Sequence, residues 1–333
     1  MSTPERFPKT TPATVEEIPL EELDPREFIL EKIAEIRNKV GDEKAINALS
    51  GGVDSSTVTA LGHRALGKKL ITCFIDNGLM RKNEPQWVLD SFKKLGIEVI
   101  LVNAQEEFFA ALKGIADPEE KREAITQTFY KKVFGRLVGE SGVHHLLQGT
   151  NYTDIEETVA GVKRQHNVLA QLGINTEEQF GYRVIEPLAQ LRKPAVREVA
   201  KALGLPEAIY NRPPFPGPAL ATRIIGEVKP ERVGIIRKAT EIIEEELTGI
   251  EAFQSLAVLH QDMITGVRNG IRDFGFQIEI RSWISEDGKS GTPAEIPYVM
   301  LIRLSNRITN EVPGVVSVTY NITPKPPSTI EAI

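Results

Sequence analysis

Cysteine is almost absent from this chain, with only Cys73 in 333 residues. One thiol cannot close an internal disulfide or build a cysteine-based zinc site within one chain. Cys73 lies in the apolar run Leu70-Ile71-Thr72-Cys73-Phe74-Ile75, which reads as a buried strand where cysteine serves as a small hydrophobe. Long apolar runs are also missing. None approaches the ~20 residues that cross a bilayer, so no membrane partner is expected. Residues 1–25, rich in Pro, Thr and Glu, lack an apolar stretch behind basic residues. They read as a flexible arm rather than a signal peptide, and the chain as cytoplasmic. Positive charge is not in excess: 40 Lys and Arg stand against 46 Asp and Glu, which argues against a broad nucleic-acid surface. No internal repeat is visible.

What is present suits two globular domains. Phe28, Ile29, Ile33, Ile36 and Val40 recur at helical spacing, with Gly41 as a stop. Short apolar runs then alternate with helical stretches. Strands are expected over Lys44–Leu49, Leu70–Ile75, Val99–Val102, Leu146–Thr150 and Val184–Leu188. Helices are expected over Ser55–Leu66, Pro85–Leu95, Asp117 to about Glu140 and Pro194–Leu203. This alternation predicts an α/β fold, a doubly wound parallel sheet that binds ligands beyond the carboxyl ends of its strands. The stretch Arg212-Pro213-Pro214-Phe215-Pro216-Gly217-Pro218 breaks regular structure. Beyond it a charged helix (Pro230–Leu247), a strand (Gly275–Arg281), a helix (Tyr298–Glu311) and a strand (Val315–Ile322) form a smaller α+β unit. The expected domains are residues 26–217 and 218–333.

The segment Ser50-Gly51-Gly52-Val53-Asp54-Ser55 falls between a strand and a helix. Gly51 and Gly52 permit positive φ and close backbone approach, and the helix start attracts an anion. Ser50, Ser55 and Ser56 add hydroxyl donors. No lysine follows the glycines, so this is not a Walker A loop, and the dinucleotide fingerprint spacing is absent too. A plain strand-to-helix turn does not need two glycines flanked by serines and an aspartate.

These residues resemble the PP-loop of the ATP pyrophosphatases, which cleave ATP between the α and β phosphates. Asp76-Asn77-Gly78 and Gln148-Gly149-Thr150 follow two of the expected strands. With Phe215-Pro216-Gly217-Pro218, Arg223, Gly226-Glu227-Val228, Asn306-Arg307-Ile308, Asn310-Glu311-Val312 and Lys325-Pro326-Pro327-Ser328-Thr329-Ile330-Glu331, they resemble the synthetase half of GMP synthetase. The likeness runs from about Glu31 to the C-terminus.

The resemblance implies adenylation of xanthosine monophosphate at its C2 oxygen, then displacement of AMP by ammonia to give GMP. It implies ATP bound by Ser50, Gly51, Gly52, Val53, Asp54, Ser55, Ser56, Asp76 and Gly149. It gives catalytic roles to Lys193 and Asp54, and Mg²⁺ to Asp54, Asp154 and Glu156. The acceptor nucleotide falls to Arg223, Arg307, Lys325, Thr329, Ile330 and Glu331. The second domain is implied to dimerise, and a separate glutamine amidotransferase subunit is the implied ammonia source. Ordinary readings compete at several positions. Asp54 suits a helix start, Asp76 suits a turn, Asp154 and Glu156 suit a solvated loop, and each cation suits a surface.

The sequence departs from the family in places. The family lid Lys-Ser-His-His-Asn-Val-Gly-Gly is here Lys163-Arg164-Gln165-His166-Asn167-Val168-Leu169-Ala170. Pro194-Ala195 replaces Asp-Glu, Ala219 replaces a glycine, Ala332-Ile333 replaces Trp-Glu, and Ser285 to Pro293 lacks the Asp-Gly-Met-Thr pattern. Two alternatives therefore stand beside GMP synthesis: a PP-loop ligase with another nucleotide-like acceptor, and a nucleotide-binding regulator without turnover.

Overall fold

A computed structural model describes residues 15–159, 182–213, 215–286, 288 and 290–332. The altered lid, 163–170, and Ile333 lie outside them. The chain forms two compact units that interleave along the sequence. The first comprises Met1–Ile75, Val88–Val102 and Phe134–Arg212; the second comprises Asp76–Trp87, Asn103–Val133 and Pro213–Ile333.

The five-stranded sheet is made of β1 (Ala45–Ala48), β2 (Leu70–Asp76), β3 (Ile100–Asn103), β4 (His145–Leu147) and β5 (Arg183–Ile185). Its order is β3-β2-β1-β4-β5. β1 runs parallel to both β2 and β4, and β4 parallel to β5. The chain winds outward from β1 to β3 and then returns to start β4 on the other side of β1. The order thus reverses between β1 and β4, where ligands collect in such sheets.

The first helix, Pro25–Val40, opens on Asp24, whose Oδ1 accepts from Arg26 N at 2.8 Å and Glu27 N at 3.2 Å. It buries Phe28, Ile29, Ile36 and Val40 and ends at Gly41 with φ 60°. It packs with helices Val53–Leu66 and Lys193–Ala202. Asn47, buried in β1, ties this layer together. Its amide donates to Thr59 Oγ1 at 2.6 Å and its Oδ1 accepts from Thr72 Oγ1 at 2.8 Å. Cys73 is buried, and burial pushes its thiol up to about 12, as a small hydrophobe of the sheet requires.

The expected helix from Asp117 to Glu140 is broken. Pro118–Gln127 and Gly135–Ser141 are α-helical, and Thr128–Phe134 widens into a π-turn. Helices Gln105–Leu112 and Tyr152–Val159 are additions to the elements expected from the sequence.

In the second unit, β6 (Gln254–Arg268) and β7 (Ile271–Ile284) form a long antiparallel hairpin. Asn269 and Gly270 join them with φ 51° and 76°, the two positive values of a type I′ turn. β8 (Thr292–Pro293) pairs antiparallel with β7, and β9 (Val315–Tyr320) pairs parallel with it. Helices Pro230–Glu246 and Tyr298–Glu311 cover this sheet. Leu256, Val258, Trp283 and Ile330 form one of its buried clusters.

Candidate active site

The Ser50–Ser55 loop leaves β1 at the reversal of strand order, beside the residues that follow β4. Gly51 has φ 80°, a left-handed value that favours glycine, and Arg212 Nη1 donates to its carbonyl at 3.3 Å. Ser50 and Ser55 close the loop. Their hydroxyl oxygens are 2.8 Å apart, Gly52 N donates to Ser50 Oγ at 3.3 Å, and Ser55 Oγ donates to Gly52 O at 3.2 Å.

Gly52 differs from expectation. Its φ is -78°, so it needs no left-handed freedom. A methyl group there would meet only Ser50 Oγ, at 3.5 Å. Nothing in the fold demands glycine at Gly52, and the space beside it is open. It caps helix Val53–Leu66 without any side-chain hydrogen bond. The first intrahelical bond runs from Ser56 N to Gly52 O at 3.0 Å, so the earlier N–H groups point toward an outside acceptor. We expect Gly52→Ala to fold with a melting temperature within a few degrees of wild type. ATP turnover should fall about 100-fold, because the methyl occupies the anion's approach. Calorimetry and pyrophosphate release check the two halves.

Gly149 has the opposite reason. A Cβ there would lie 3.1 Å from Asp54 C and 3.1 Å from Ser55 N, so the chain after β4 can touch the loop only through glycine. This contact brings the carboxylates together. Asp54 is half-buried as a residue, but its Oδ1 is enclosed and has no hydrogen-bond partner. Burial pushes its carboxyl up to about 6; Lys193 and Arg197 pull it down and the nearby Asp154 pushes it up. Ser56 Oγ and Arg197 Nε are likewise buried and unpaired.

Asp154 opens helix Tyr152–Val159 in a reciprocal cap. Its Oδ2 accepts from Asn151 N at 3.2 Å, and Asn151 Oδ1 accepts from Asp154 N at 3.1 Å. Asn151 Nδ2 is buried near Asp54 and counters its pKa rise, but no full hydrogen bond closes. Glu156 does not join this group. Two residues from Asp154 on a helix, it points elsewhere, and Arg192 grips it with bonds of 2.9 and 3.2 Å. Among the described residues no three acidic, histidine or cysteine side chains converge as a metal site. Lys193, exposed, begins its helix, and its charge reaches Asp54. Of the residues that replace Asp-Glu, Pro194 is exposed at the helix start and Ala195 is buried beneath it.

Asn151, Arg197 and Arg212 join the site without having been expected there. Asn151 carries a signal in the sequence, because it stands three residues before Asp154 in the spacing of a reciprocal cap. Arg197 follows Lys193 by four residues, so one helix face carries both.

The remaining expected residues lie in the second unit. Asp76 ends β2; its Oδ1 accepts from Gly78 N at 2.9 Å and its Oδ2 from Gln105 Nε2 at 2.7 Å. Arg223 is 1% exposed and forks onto Glu331, with Nε–Oε2 3.1 Å and Nη2–Oε1 3.0 Å. Gln254 Nε2 and Thr222 Oγ1 also donate to Glu331, at 2.9 and 3.2 Å. Ile330 is packed against Leu256, Val258 and Trp283, so its side chain is core rather than binding surface. Thr329 Oγ1 donates to Glu331 O at 2.5 Å. Lys325 Nζ donates to Gly288 O at 2.6 Å. Arg307 is held by Glu245, Glu246 and Glu311, which raise its pKa; it clamps helix Tyr298–Glu311 to helix Pro230–Glu246. A phosphate at Arg307 would have to compete with the three carboxylates about its guanidinium.

Residues 26–133 match the family described as NAD synthase, and residues 241–332 the GMP synthase C terminal domain. The chain is 48% identical to a subunit of the glutamine-hydrolyzing GMP synthase of Archaeoglobus fulgidus, over 93% of this chain and 99% of the relative. It is 47% identical to the corresponding subunit of Pyrococcus furiosus, over 91% and 96%. The chain belongs to this family of GMP synthase subunits. Among solved structures, an NH3-dependent NAD synthetase from Campylobacter jejuni aligns with TM-score 0.45 and 18% identity, covering 68% of this chain and 87% of that one. GMP synthase subunits of this family are ligases.

Proposed function

We propose that this chain is the ATP-cleaving subunit of a GMP synthase. It transfers AMP from ATP to the C2 oxygen of xanthosine monophosphate and releases pyrophosphate; ammonia then attacks C2 and expels AMP, leaving GMP. The observation that supports this most is the uncapped helix start at Gly52, open to an anion and backed by Asp54. The backbone N–H groups after Gly52 hold the leaving phosphates, Ser50 and Ser55 brace the loop through their paired hydroxyls, and Lys193 offsets the phosphates' charge. Asp76 serves the nucleoside.

Asp54 and Asp154 fit Mg²⁺, which is commonly held by one or two carboxylates plus substrate phosphates, and the enclosed, unpartnered Asp54 Oδ1 is a free ligand. Asp54 and Asp154 would hold Mg²⁺ there, and the chemistry it would supply is charge neutralisation at the leaving pyrophosphate. Lys325, Thr329, Arg223 and Glu331 serve the acceptor. The buried Cys73 is a poor nucleophile for glutamine, and the relatives' being one subunit of a glutamine-hydrolyzing synthase supports a separate amidotransferase subunit as the source of ammonia. Exposed Met263, Val267 and Phe274 on the hairpin support a homodimer. Among the described residues no helix is long and apolar enough to cross a membrane, and we place the enzyme in the cytoplasm.

The test is pyrophosphate release from Mg-ATP with xanthosine monophosphate and ammonium, against controls without acceptor. Acceptor-dependent release with GMP formed is the expected result. ATP binding without acceptor-dependent release would favour another acceptor or a regulator.

A further inference from the structure

The segment after β2 has no helical or strand hydrogen bonding of its own from Gly78 to Met80, yet three consecutive carbonyls there accept hydrogen bonds. Arg237 Nη2 donates to Gly78 O at 2.6 Å, Leu220 N to Leu79 O at 3.0 Å, and Arg237 Nε to Met80 O at 2.6 Å. All these donors are distant in sequence. One helix, Pro230–Glu246, supplies most of the grip. Besides Arg237, its Glu241 pairs with Lys82 at 2.8 Å and its Glu244 with Arg81 at 3.0 Å.

The near side of the turn is fixed locally. Asp76 Oδ1 accepts from Gly78 N at 2.9 Å and Asn77 Oδ1 accepts from Leu79 N at 2.9 Å. Gly78 has φ 74°, and a Cβ on it would lie 2.7 Å from the Phe109 ring. Asp76 therefore sits on a turn whose amides are capped from within and whose following carbonyls are capped by Arg237, at Gly78 and Met80, and by Leu220 N, at Leu79. The guanidinium is half-buried, and it forks onto two backbone carbonyls. Lysine, a single point of charge, cannot bridge two carbonyls in this forked way.

We infer that Arg237 is a positioning residue for nucleotide binding, holding the Asp76-Asn77-Gly78 turn in the shape that receives the nucleoside of ATP. This rests on the reading of Asp76 as a nucleoside contact. Arg237 touches no substrate; it acts through the two carbonyls. Its loss should weaken ligands that use the turn and spare those that need only the phosphate loop.

The experiment is calorimetric titration of the full chain with ATP and, separately, with pyrophosphate, for wild type, Arg237→Met, Arg237→Lys, Asp76→Asn and the Arg237→Met/Asp76→Asn double variant. Arg237→Met is expected to weaken ATP about tenfold, as a misplaced binding group does, and to leave pyrophosphate within about twofold. Arg237→Lys should fall between, and serves as the test if Arg237→Met does not fold. In the Asp76→Asn background the Arg237→Met effect should shrink to less than about threefold, because both changes act through one turn. Equal weakening of ATP and pyrophosphate, an unshifted ATP affinity, or the same tenfold loss in both backgrounds overturns the inference. Wild-type binding with Asp76→Asn unimpaired overturns the parent reading of Asp76 and takes this inference with it. Asp76→Asn impaired with Arg237→Met unimpaired overturns this inference alone.

Discussion

Asp54→Asn should make the free protein harder to unfold and should stop pyrophosphate release. The enclosed Oδ1 has no partner, and burial has pushed the carboxyl up to about 6. A charge kept in that place at neutral pH destabilises the fold. Asparagine removes the charge and keeps the shape. A rise of about two pKa units corresponds to about 3 kcal/mol at most, and partial relaxation brings the expected gain to about 2 kcal/mol, or a few degrees in melting temperature. Turnover should fall by about a thousandfold or more, as when a preorganised charge is removed from a reaction centre. A residue strained for function gains stability when function is removed.

The pH dependence has a definite sign. The folded-state value near 6 stands above the ordinary 3.8. Between the two, the folded protein keeps a proton that the unfolded chain has lost, so wild-type stability grows as pH falls through the window. Below about pH 4 both states are protonated and wild type matches Asp54→Asn. The gap in melting temperature should open from about pH 4 to 6 and stay flat above about 7. Melting curves across that range check it, and a gap that is constant, or of opposite sign, refutes the account. With Mg-ATP added at about pH 7.5, wild type should gain stability and the variant should not.

The alternation of apolar runs with helical stretches is enough to place the five parallel strands: β1, β2 and β4 are largely buried and leave apolar runs, and the edge strand β3 keeps such a run although Ile100 and Leu101 are exposed. The phosphate loop is legible for a related reason: Ser50-Gly51-Gly52-Val53-Asp54-Ser55 is a local feature, set by one strand end and one helix start. Its reasons are only partly legible. Of the two reasons the sequence offers for glycine at Gly52, positive φ and close approach, its φ of -78° leaves only the second. The β6–β7 hairpin leaves a mark too, since Asn269-Gly270 between alternating residues is the sequence sign of a type I′ turn. Helix Gln105–Leu112 carries Phe108 and Leu112 inward, but its short length gives periodicity too few repeats to stand out. The partners of the cations are illegible for a deeper reason. Arg223, Arg307 and Lys325 are alike as letters, and only tertiary structure tells which carboxylate or carbonyl each has already found. Glu156 is the same case, two residues from Asp154 in sequence and engaged by Arg192.

The second large effect concerns Arg223 and Glu331, which the resemblance implies at an acceptor site and which pair directly in the structure. Arg223 is 1% exposed, so Arg223→Met leaves Glu331 with its charge largely enclosed and with Thr222 and Gln254 as its remaining side-chain donors. Breaking one side of such a pair costs about 3–5 kcal/mol, and the partial exposure of Glu331 favours the lower end. The melting temperature should fall by about 6 °C or more. Replacing both partners by apolar residues, as Arg223→Met with Glu331→Leu, should recover at least half of that loss, because no uncompensated charge remains. Differential melting of the single and double variants checks the stability side. The double variant then separates packing from binding. If it is stable, binds Mg-ATP and releases no pyrophosphate in response to xanthosine monophosphate, the pair belongs to the acceptor site as well as to the core. If acceptor-dependent release survives undiminished, Arg223 and Glu331 only hold the C-terminal segment against Trp283 and Ile330, and the acceptor is left to Lys325 and Thr329.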